Sequence, residues 1–316
     1  MRWLIAAMWG GRFSLLSMAL LPLSWFYQLI MCIRYACYRC GLCRVHAFPV
    51  PVIVVGNLAV GGTGKTPLTA AIASFYQRRG LKVGLVSRGY GGTSKVWPVS
   101  VTPDSNPSQV GDEPVMLVAE TGCPMVVDPN RPRAIRELLR QHACDVVISD
   151  DGLQHYPMPR DIELLVLDAE RGLGNGRLLP AGPLREPASR LASVDVVLER
   201  NSSDPDRGFS YQPSSATHLA SGRQLAWSEG LAEWRPESIV AMTGLGQPAQ
   251  FFEMLRGQGL AIEAHALGDH ETIAQSHLDR RGEQVVLVTA KDAVKLPERA
   301  DPRVWAVAIQ VALPSS

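Results

Sequence analysis

The sequence feature that most constrains the fold is a glycine-rich run at residues 59–66, Ala-Val-Gly-Gly-Thr-Gly-Lys-Thr. The apolar residues 50–55 before it are typical of a buried strand, and residues 67–75 after it predict a helix. In that context a Walker A pattern binds phosphate, because backbone N–H groups of the turn converge on the anion and the helix N-terminus adds partial positive charge. The alternative is a glycine-rich turn that binds nothing.

This run predicts an ATP site that also holds Mg²⁺. Lys65 is placed to reach the β- and γ-phosphates, and the Thr66 hydroxyl is placed to reach the metal. The predicted nucleotide-binding residues of the run are Gly61, Gly62, Thr63, Gly64, Lys65 and Thr66.

Two later strand ends carry charged residues that suit the same site. Asp150 and Asp151 end an apolar strand, where a Walker B aspartate holds Mg²⁺ in P-loop enzymes; an acidic turn is the alternative. Arg88 follows the predicted strand 82–87 in a glycine-rich loop and suits bidentate phosphate contact, with a solvated surface arginine as the alternative. In a parallel sheet such residues meet at the carboxyl edge.

Several further polar segments leave their roles open. Asp112 and Glu113 stand at a predicted helix start, where they either cap the helix or supply a general base. Residues 175–186 are too rich in Pro and Gly for a helix or strand and predict an ordered functional loop. Further candidates are Gln154 and His155 after the Asp pair, Arg177 and Arg185 as an anion clamp in the loop, the pair Asp269 and His270, and the positive charges of residues 289–295.

The chain as a whole predicts two α/β units. It has 316 residues, 46% of them hydrophobic, and a net charge of +1, which excludes a disordered chain and gives no case for nucleic-acid binding. Alternating apolar runs and helical patterns predict a parallel P-loop-type sheet with helices on both faces, followed by a smaller α/β domain. The predicted divisions are a membrane-associated segment (1–45), a P-loop core (46–205), a linker (206–235) and the smaller domain (236–316).

The pattern also assigns individual elements. Predicted strands are 82–87, 125–128, 145–149, 162–168, 194–199, 238–242, 262–266, 284–289 and 304–309. Predicted helices are 66–79, 113–121, 131–142, 185–192, 248–258 and 272–281.

The N-terminal segment predicts contact with a membrane. Residues 13–33 form a run of 21 residues without a charge, which as a helix would span about 32 Å, close to the bilayer thickness. Arg34, Arg39 and Arg44 follow it and favour a cytoplasmic body. The helix either spans the bilayer or lies in its interface, although a buried core helix or a cleaved signal peptide would also give such a run.

Four of the six cysteines, Cys32, Cys37, Cys40 and Cys43, fall within 12 residues. The spacing invites a metal or iron–sulfur site, but the fourth cysteine fits no common cluster pattern. Reduced thiols in a cytosolic compartment are the default.

Taken together, the motifs resemble one family, the tetraacyldisaccharide 4′-kinases of lipid A biosynthesis in Gram-negative bacteria. The resemblance runs in order from the apolar N-terminus to about residue 295 and departs from the family at Ala290 (often Glu) and Gln250 (often Arg). The matching segments are 61–67, 87–92, 111–114, 150–155, 179–186, 269–270 and 291–295.

The resemblance implies transfer of the γ-phosphoryl group of ATP to the 4′-hydroxyl of a tetraacylated glucosamine disaccharide 1-phosphate, giving lipid IVA. It implies that Asp112 is the base, assisted by His270, and that Arg185 contacts the transferring phosphate. It also implies a lipid substrate and a position on the cytoplasmic face of the inner membrane. The implied metal site comprises Thr66, Asp150 and Asp151, supported by Glu113 and Glu186.

A regulatory or partitioning-type P-loop ATPase is the main alternative function. Such proteins hydrolyse ATP without an acceptor hydroxyl and usually act as nucleotide-sandwich dimers. A membrane adaptor that binds nucleotide only to fold is a second alternative.

Overall fold

The computed structural model describes most of the chain, and its secondary structure follows the predicted α/β alternation. The described residues are 9, 15–61, 64–234, 238–268, 271–279, 285–296 and 301–313. The strands are β1 (Val52–Gly56), β2 (Val83–Ser87), β3 (Val99–Val101), β4 (Met125–Val127), β5 (Val146–Ser149), β6 (Ile162–Asp168), β7 (Val196–Arg200), β8 (Gly208–His218), β9 (Gln224–Ala226), β10 (Ile239–Thr243), β11 (Ile262–Ala266), β12 (Val285–Thr289) and β13 (Val304–Ala312). The helices are α1 (Leu15–Ala19), α2 (Leu21–Arg39), α3 (Lys65–Gln77), α4 (Pro107–Val110), α5 (Asp112–Thr121), α6 (Arg131–Gln141), α7 (Trp227–Trp234), α8 (Pro248–Gly257), α9 (Gln275–Leu278) and α10 (Ala290–Ala293).

The first half of the sheet has the strand order β3-β4-β2-β5-β1-β6-β7. All its pairs are parallel except β3 with β4. Strands β1, β2, β4 and β5 are buried along their whole length, as expected for parallel strands covered on both faces. Helices α3 and α5 cover one face and α6 covers the other, so the predicted fold class is confirmed.

The second half is a smaller parallel sheet in the order β11-β10-β12-β13. Strand β8 joins the two halves, because it pairs in parallel with β7 at its start and antiparallel with β13 along its length. The described strands thus form one continuous sheet. Residues 206–235, expected to be a linker, contain β8, β9 and α7. The Ser-, Asp- and Pro-rich residues 201–207 form the turn before Gly208.

Two predicted helices are wrong or shortened. Residues 185–192 form only a 3₁₀ turn, Ala188–Ala192, because Pro187 takes an extended backbone at its start. Of residues 272–281, only Gln275–Leu278 is helical, and residues 280 and 281 lie outside the described part of the chain. The last strand extends three residues beyond the predicted 304–309, to Ala312, and the remaining predicted helices and strands are confirmed to within about two residues at each end.

The N-terminal helices dock through small polar groups. The Ser17 and Ser24 hydroxyls donate to the carbonyls of Ala181 and Leu178 at 2.6 and 2.8 Å, and the Tyr27 hydroxyl donates to the Arg185 carbonyl at 2.9 Å. These bonds fasten the N-terminal segment to the loop that precedes the 3₁₀ turn. Within the described residues, no helix has both the length and the apolar character needed to cross a membrane.

Candidate active site

The glycine-rich run lies between β1 and α3, as predicted. Gly64 caps α3 with a left-handed backbone, φ 78°. A Cβ at Gly64 would lie 2.7 Å from the Tyr211 ring, and the Tyr211 hydroxyl donates to the Gly64 carbonyl. Only glycine satisfies both the conformation and the space there. Gly61 also has positive φ, 116°, while Gly62 and Thr63 lie outside the described residues.

Asp150 follows β5, and its buried carboxylate contacts the first turn of α3. Thr66 Oγ1 donates to its Oδ2 at 3.2 Å, and Thr69 Oγ1 donates to its Oδ1 at 2.9 Å. Burial raises the pKa of Asp150 to about 6, the Glu113 charge adds to the effect, and Lys65 opposes it. The Thr66–Asp150 pair was predicted. Thr69 was missed, although it lies one helical turn beyond Thr66 and thus on the same face of α3.

Asp151 joins the P-loop lysine to the loop arginine. Arg185 holds it with two hydrogen bonds, at 3.0 and 3.2 Å, and Lys65 Nζ lies 3.7 Å from its Oδ1. Burial alone would raise the pKa of Asp151, but the Lys65 and Arg185 charges outweigh it and hold the pKa well below its ordinary value. Arg185 also donates to the Asn57 carbonyl at 3.0 Å. The structure therefore brings together Lys65, Asp151 and Arg185, three residues from separate motifs.

Arg131, at the start of α6, is a site residue that the sequence analysis missed. Its buried guanidinium donates to the carbonyls of Asp128, Asp150 and Asp151 at 3.3, 3.3 and 3.4 Å. Burial lowers the pKa of Arg131 to about 10, so the side chain is still charged at neutral pH. It fixes the backbone that carries the acidic pair. The signal that could have found it is an arginine at the start of the helix that follows β4, at the ligand edge of the sheet.

Asp112 and Glu113 begin α5 and face lysines from the second half of the sheet. Gly111 occupies the N-cap position, so the capping alternative for Asp112 is wrong. Lys291 Nζ lies 2.8 Å from Glu113 Oε1 and 3.8 Å from Asp112 Oδ2, and Lys295 Nζ lies 3.8 Å from the same Asp112 oxygen. The second predicted acid–base residue, His270, lies outside the described residues, as does Asp269.

Glu186 is buried and hydrogen-bonded to protein donors. Gln154 Nε2 donates to its Oε1 at 2.8 Å, and the Tyr156 hydroxyl and Arg190 Nε donate to its Oε2 at 2.9 and 3.2 Å. Its observed contacts fasten residues 154–156 to the 3₁₀ turn, and none of its described hydrogen bonds reaches Thr66 or Asp150. Its supporting role at the metal therefore stays a prediction.

Arg88 and His155 lie close to the buried Arg131. Arg88 is exposed on the loop after β2. Burial lowers the pKa of His155 to about 4, and the charges of Arg131, Arg34, Arg160 and Arg88 add to the effect. His155 is therefore neutral at physiological pH in this structure, and contact of His155 with a substrate or phosphate stays a prediction.

Gln250, where the family often has Arg, contacts the first half of the sheet. It accepts a hydrogen bond of 2.7 Å from Arg200, which pairs with the buried Asp168. Arg177, the second predicted clamp residue, donates to the Ser17 hydroxyl at 3.3 Å. Arg177 thus contacts the N-terminal segment, whereas Arg185 contacts Asp151.

The described residues contain no group of three or more His, Cys, Asp or Glu side chains that could hold a metal by themselves. Cys32, Cys37, Cys40 and Cys43 are free thiols. Among the described residues near the P-loop, oxygen donors include the Thr66 and Thr69 hydroxyls and the Asp150 carboxylate. The Asp151 carboxylate pairs with Lys65 and Arg185, and its predicted role at the metal stays a prediction. Hydroxyl and carboxylate oxygens suit Mg²⁺, which keeps several waters and takes its remaining ligands from a nucleotide. Burial, with the nearby Glu113 charge, raises the Asp150 pKa, and a divalent cation bound there would favour the ionised carboxylate.

Comparisons with known proteins agree on one family. The sequence model of the tetraacyldisaccharide-1-P 4′-kinase family matches residues 16–316. Tetraacyldisaccharide 4′-kinases from Nitrosococcus oceani and Alkalilimnicola ehrlichii are 44% and 45% identical over 94% and 92% of this chain, and each alignment covers 87% of the relative. The crystal structure of LpxK from Aquifex aeolicus, described as an "apo" form in complex with ATP, superposes with a TM-score of 0.78 at 28% identity and 95% coverage of both chains.

Proposed function

This chain belongs to the tetraacyldisaccharide-1-P 4′-kinase family, and from that membership we infer that it is an ATP-dependent kinase acting on the 4′-hydroxyl of a tetraacylated disaccharide 1-phosphate in lipid A biosynthesis. The observation that carries the inference to particular residues is the convergence of Lys65, Asp151 and Arg185 beside the Thr66–Asp150 pair. Phosphoryl transfer needs positioning and charge neutralisation more than covalent chemistry, and this cluster supplies both.

Each charged group has a distinct proposed role. Lys65 binds the β- and γ-phosphates, and Arg185 stabilises charge on the transferring phosphoryl group. Asp151 orients both cations, since it pairs with each of them. Thr66 and Asp150 hold Mg²⁺, which when bound neutralises charge on the phosphate oxygens. Asp112 accepts the proton of the sugar hydroxyl, assisted by His270.

The N-terminal helices dock on the membrane in this proposal. While one side of α2 is bonded to the loop at 178–185, large apolar side chains elsewhere on it face solvent, among them Trp25 at 63% and Phe26 at 60% exposure. Such a face suits an acyl-chain environment, and the arginines that follow it suit an anionic lipid surface. A substrate whose acyl chains stay in the bilayer would then meet the site at the cytoplasmic face of the inner membrane.

A transfer assay tests the reaction. Purified protein is incubated with Mg²⁺, γ-labelled ATP and the tetraacylated disaccharide 1-phosphate in detergent micelles. We expect label in the lipid fraction, and selective hydrolysis of the product distinguishes phosphate at the 4′-oxygen from phosphate at position 1. Label confined to free phosphate would favour the partitioning-type ATPase, and ATP binding without any turnover would favour the adaptor.

Charge on the apolar face of α2 is expected to weaken membrane binding. The double substitution Trp25→Asp and Phe26→Asp should reduce the bound fraction on anionic liposomes at least about tenfold, because each lost aromatic burial removes roughly 2 kcal/mol. Liposome flotation measures the bound fraction. Leu313→Asp is the control, since Leu313 is 78% exposed but lies far from α2 in the sequence. Equal flotation of both variants would contradict the docking face.

Asp150 is expected to make stability depend on pH when Mg²⁺ is absent. Its folded-state pKa, about 6, lies above the ordinary value. The folded state therefore binds the Asp150 proton more tightly than the unfolded state does. This binding contributes to the free energy of unfolding in full below about pH 4, and the contribution is lost as pH rises through 6. The free energy of unfolding of Asp150→Asn, relative to that of the wild type, should therefore rise by on the order of 2–3 kcal/mol between pH 4 and pH 7. Thermal unfolding in EDTA measures this trend, and adding Mg²⁺ with ATP should reverse it in the wild type; a pH-independent difference would contradict the assignment.

A further inference from the structure

Two lysines link the second half of the sheet to the start of α5. Lys291 lies in α10 and Lys295 follows it, yet Lys291 contacts Glu113, 178 residues earlier in the chain. Helix α10 also packs against α5, so this contact belongs to an interface between the two halves of the sheet.

The charges at this interface are largely removed from water. Side-chain exposure is 6% for Asp112, 15% for Lys291 and 10% for Lys295. Surface ion pairs contribute little because water and salt screen them, but buried pairs are screened much less. The two ammonium groups therefore act strongly on Asp112.

Lys295 approaches two buried carboxylates, Asp292 on its own side of the interface and Asp112 across it. Its nearest carboxylate on its own side, Asp292, lies 3.4 Å away and is already satisfied by donors from Thr243, Gly244 and Thr289. Within the described residues, the buried Lys295 Nζ makes no hydrogen bond. A buried ammonium without a hydrogen bond is costly, and its charge is balanced by Asp292 at 3.4 Å and by Asp112 at 3.8 Å.

The Asp112 carboxylate is thus fixed at both oxygens. Its Oδ1 accepts from the Glu113 backbone N–H at 3.1 Å, and its Oδ2 faces both lysines at 3.8 Å. The nucleotide phosphates are expected at Lys65 and Thr66, which lie on α3. No described contact of Lys295 reaches the P-loop, whereas Lys291 pairs with Glu113, whose charge acts on Asp150. Lys295 is therefore the cleaner probe of base placement.

We propose that Lys291 and Lys295 are positioning residues for phosphoryl transfer: they fix the Asp112 carboxylate and make its placement depend on docking of the second half of the sheet against α5. The inference rests on the proposed function, because it takes Asp112 as the group that receives the sugar-hydroxyl proton. A base that is misplaced by about 1 Å can lose on the order of a hundredfold in rate.

The test compares Lys291→Met and Lys295→Met in the full-length protein. Each should lower kcat for lipid phosphorylation about 10- to 100-fold, while the ATP dissociation constant stays within about twofold. Lys295→Arg should recover most of the loss, because it restores the positive charge. Lys82→Met is the matched control, since Lys82 is exposed before β2, and it should retain wild-type kcat.

A double-mutant cycle with Asp112→Asn decides whether the lysines act through the carboxylate. In the Asp112→Asn background, Lys295→Met should lower kcat less than about threefold, because the carboxylate that Lys295 positions is gone. Independent, multiplicative losses would overturn the proposal. So would unchanged kcat in both lysine variants, or a loss of kcat matched by an equal loss of ATP binding and thermal stability, which would mark a purely structural role. If the wild type itself transfers no label to lipid, it is the proposed function that fails.

Discussion

Lys65→Ala is expected to lower kcat/KM for lipid phosphorylation by two to three orders of magnitude. Lys65 is the first residue of α3, and its ammonium lies 3.7 Å from Asp151, where the Arg185 guanidinium also converges. Removing it takes away a cation that opposes negative charge on the phosphates as the γ-phosphoryl group leaves. The loss of one such preorganised contact costs about 3–4 kcal/mol in the transition state.

The fold should survive this substitution. Asp151 retains two hydrogen bonds from Arg185, so it is not left as an unpaired charge. Thermal unfolding should therefore change little, and steady-state kinetics with labelled ATP gives kcat and KM separately. Lys95→Ala, at an exposed position, is the control. Near-normal turnover of Lys65→Ala would remove Lys65 from the reaction.

The parts of the site that the sequence predicts are those encoded by neighbouring residues. A glycine-rich turn must lie between its strand and helix, so Lys65 and Thr66 are fixed by chain continuity at the N-terminus of α3. Asp150 and Asp151 follow the buried β5 directly. Because parallel strands bring their carboxyl ends to one edge of the sheet, the two motifs are expected to lie close together. The Thr66–Asp150 hydrogen bond joins them.

The parts that the sequence left open depend on contacts between distant segments. The residues around Glu113 do not predict its contact with Lys291, because that contact requires strand β8 to join the two halves of the sheet. The same strand bears on the predicted linker: turn-forming residues before Gly208 are typical of a domain boundary, and the chain continues from them directly into the shared sheet. Glu186 is a third case, since its partners were decided by the packing of its loop.

Asp112→Asn is the second substitution with a large expected effect. It should lower kcat about 10²- to 10³-fold, because an amide cannot take the proton of the sugar hydroxyl, and general-base catalysis is worth about that much. The apparent KM for ATP should change less than about threefold, since the nucleotide is held by the P-loop and Asp112 lies on α5. Asn keeps the size of Asp and can still accept the 3.1 Å bond from the Glu113 N–H.

The pattern of kinetic loss distinguishes a base from a structural acid. A base acts only in the transition state, so kcat and kcat/KM for the lipid should fall together. Stability should fall in either case, because Lys291 and Lys295 are left beside an uncharged group in a buried interface. A purely structural acid would lower ATP affinity along with kcat, whereas a base would leave ATP affinity nearly unchanged. Asp104→Asn, in an exposed turn, controls for loss of a carboxylate elsewhere. If kcat at saturating lipid and ATP is unchanged in Asp112→Asn, another group must receive the proton, and the lysine pair opposite α5 would then serve only to hold the two halves of the sheet together.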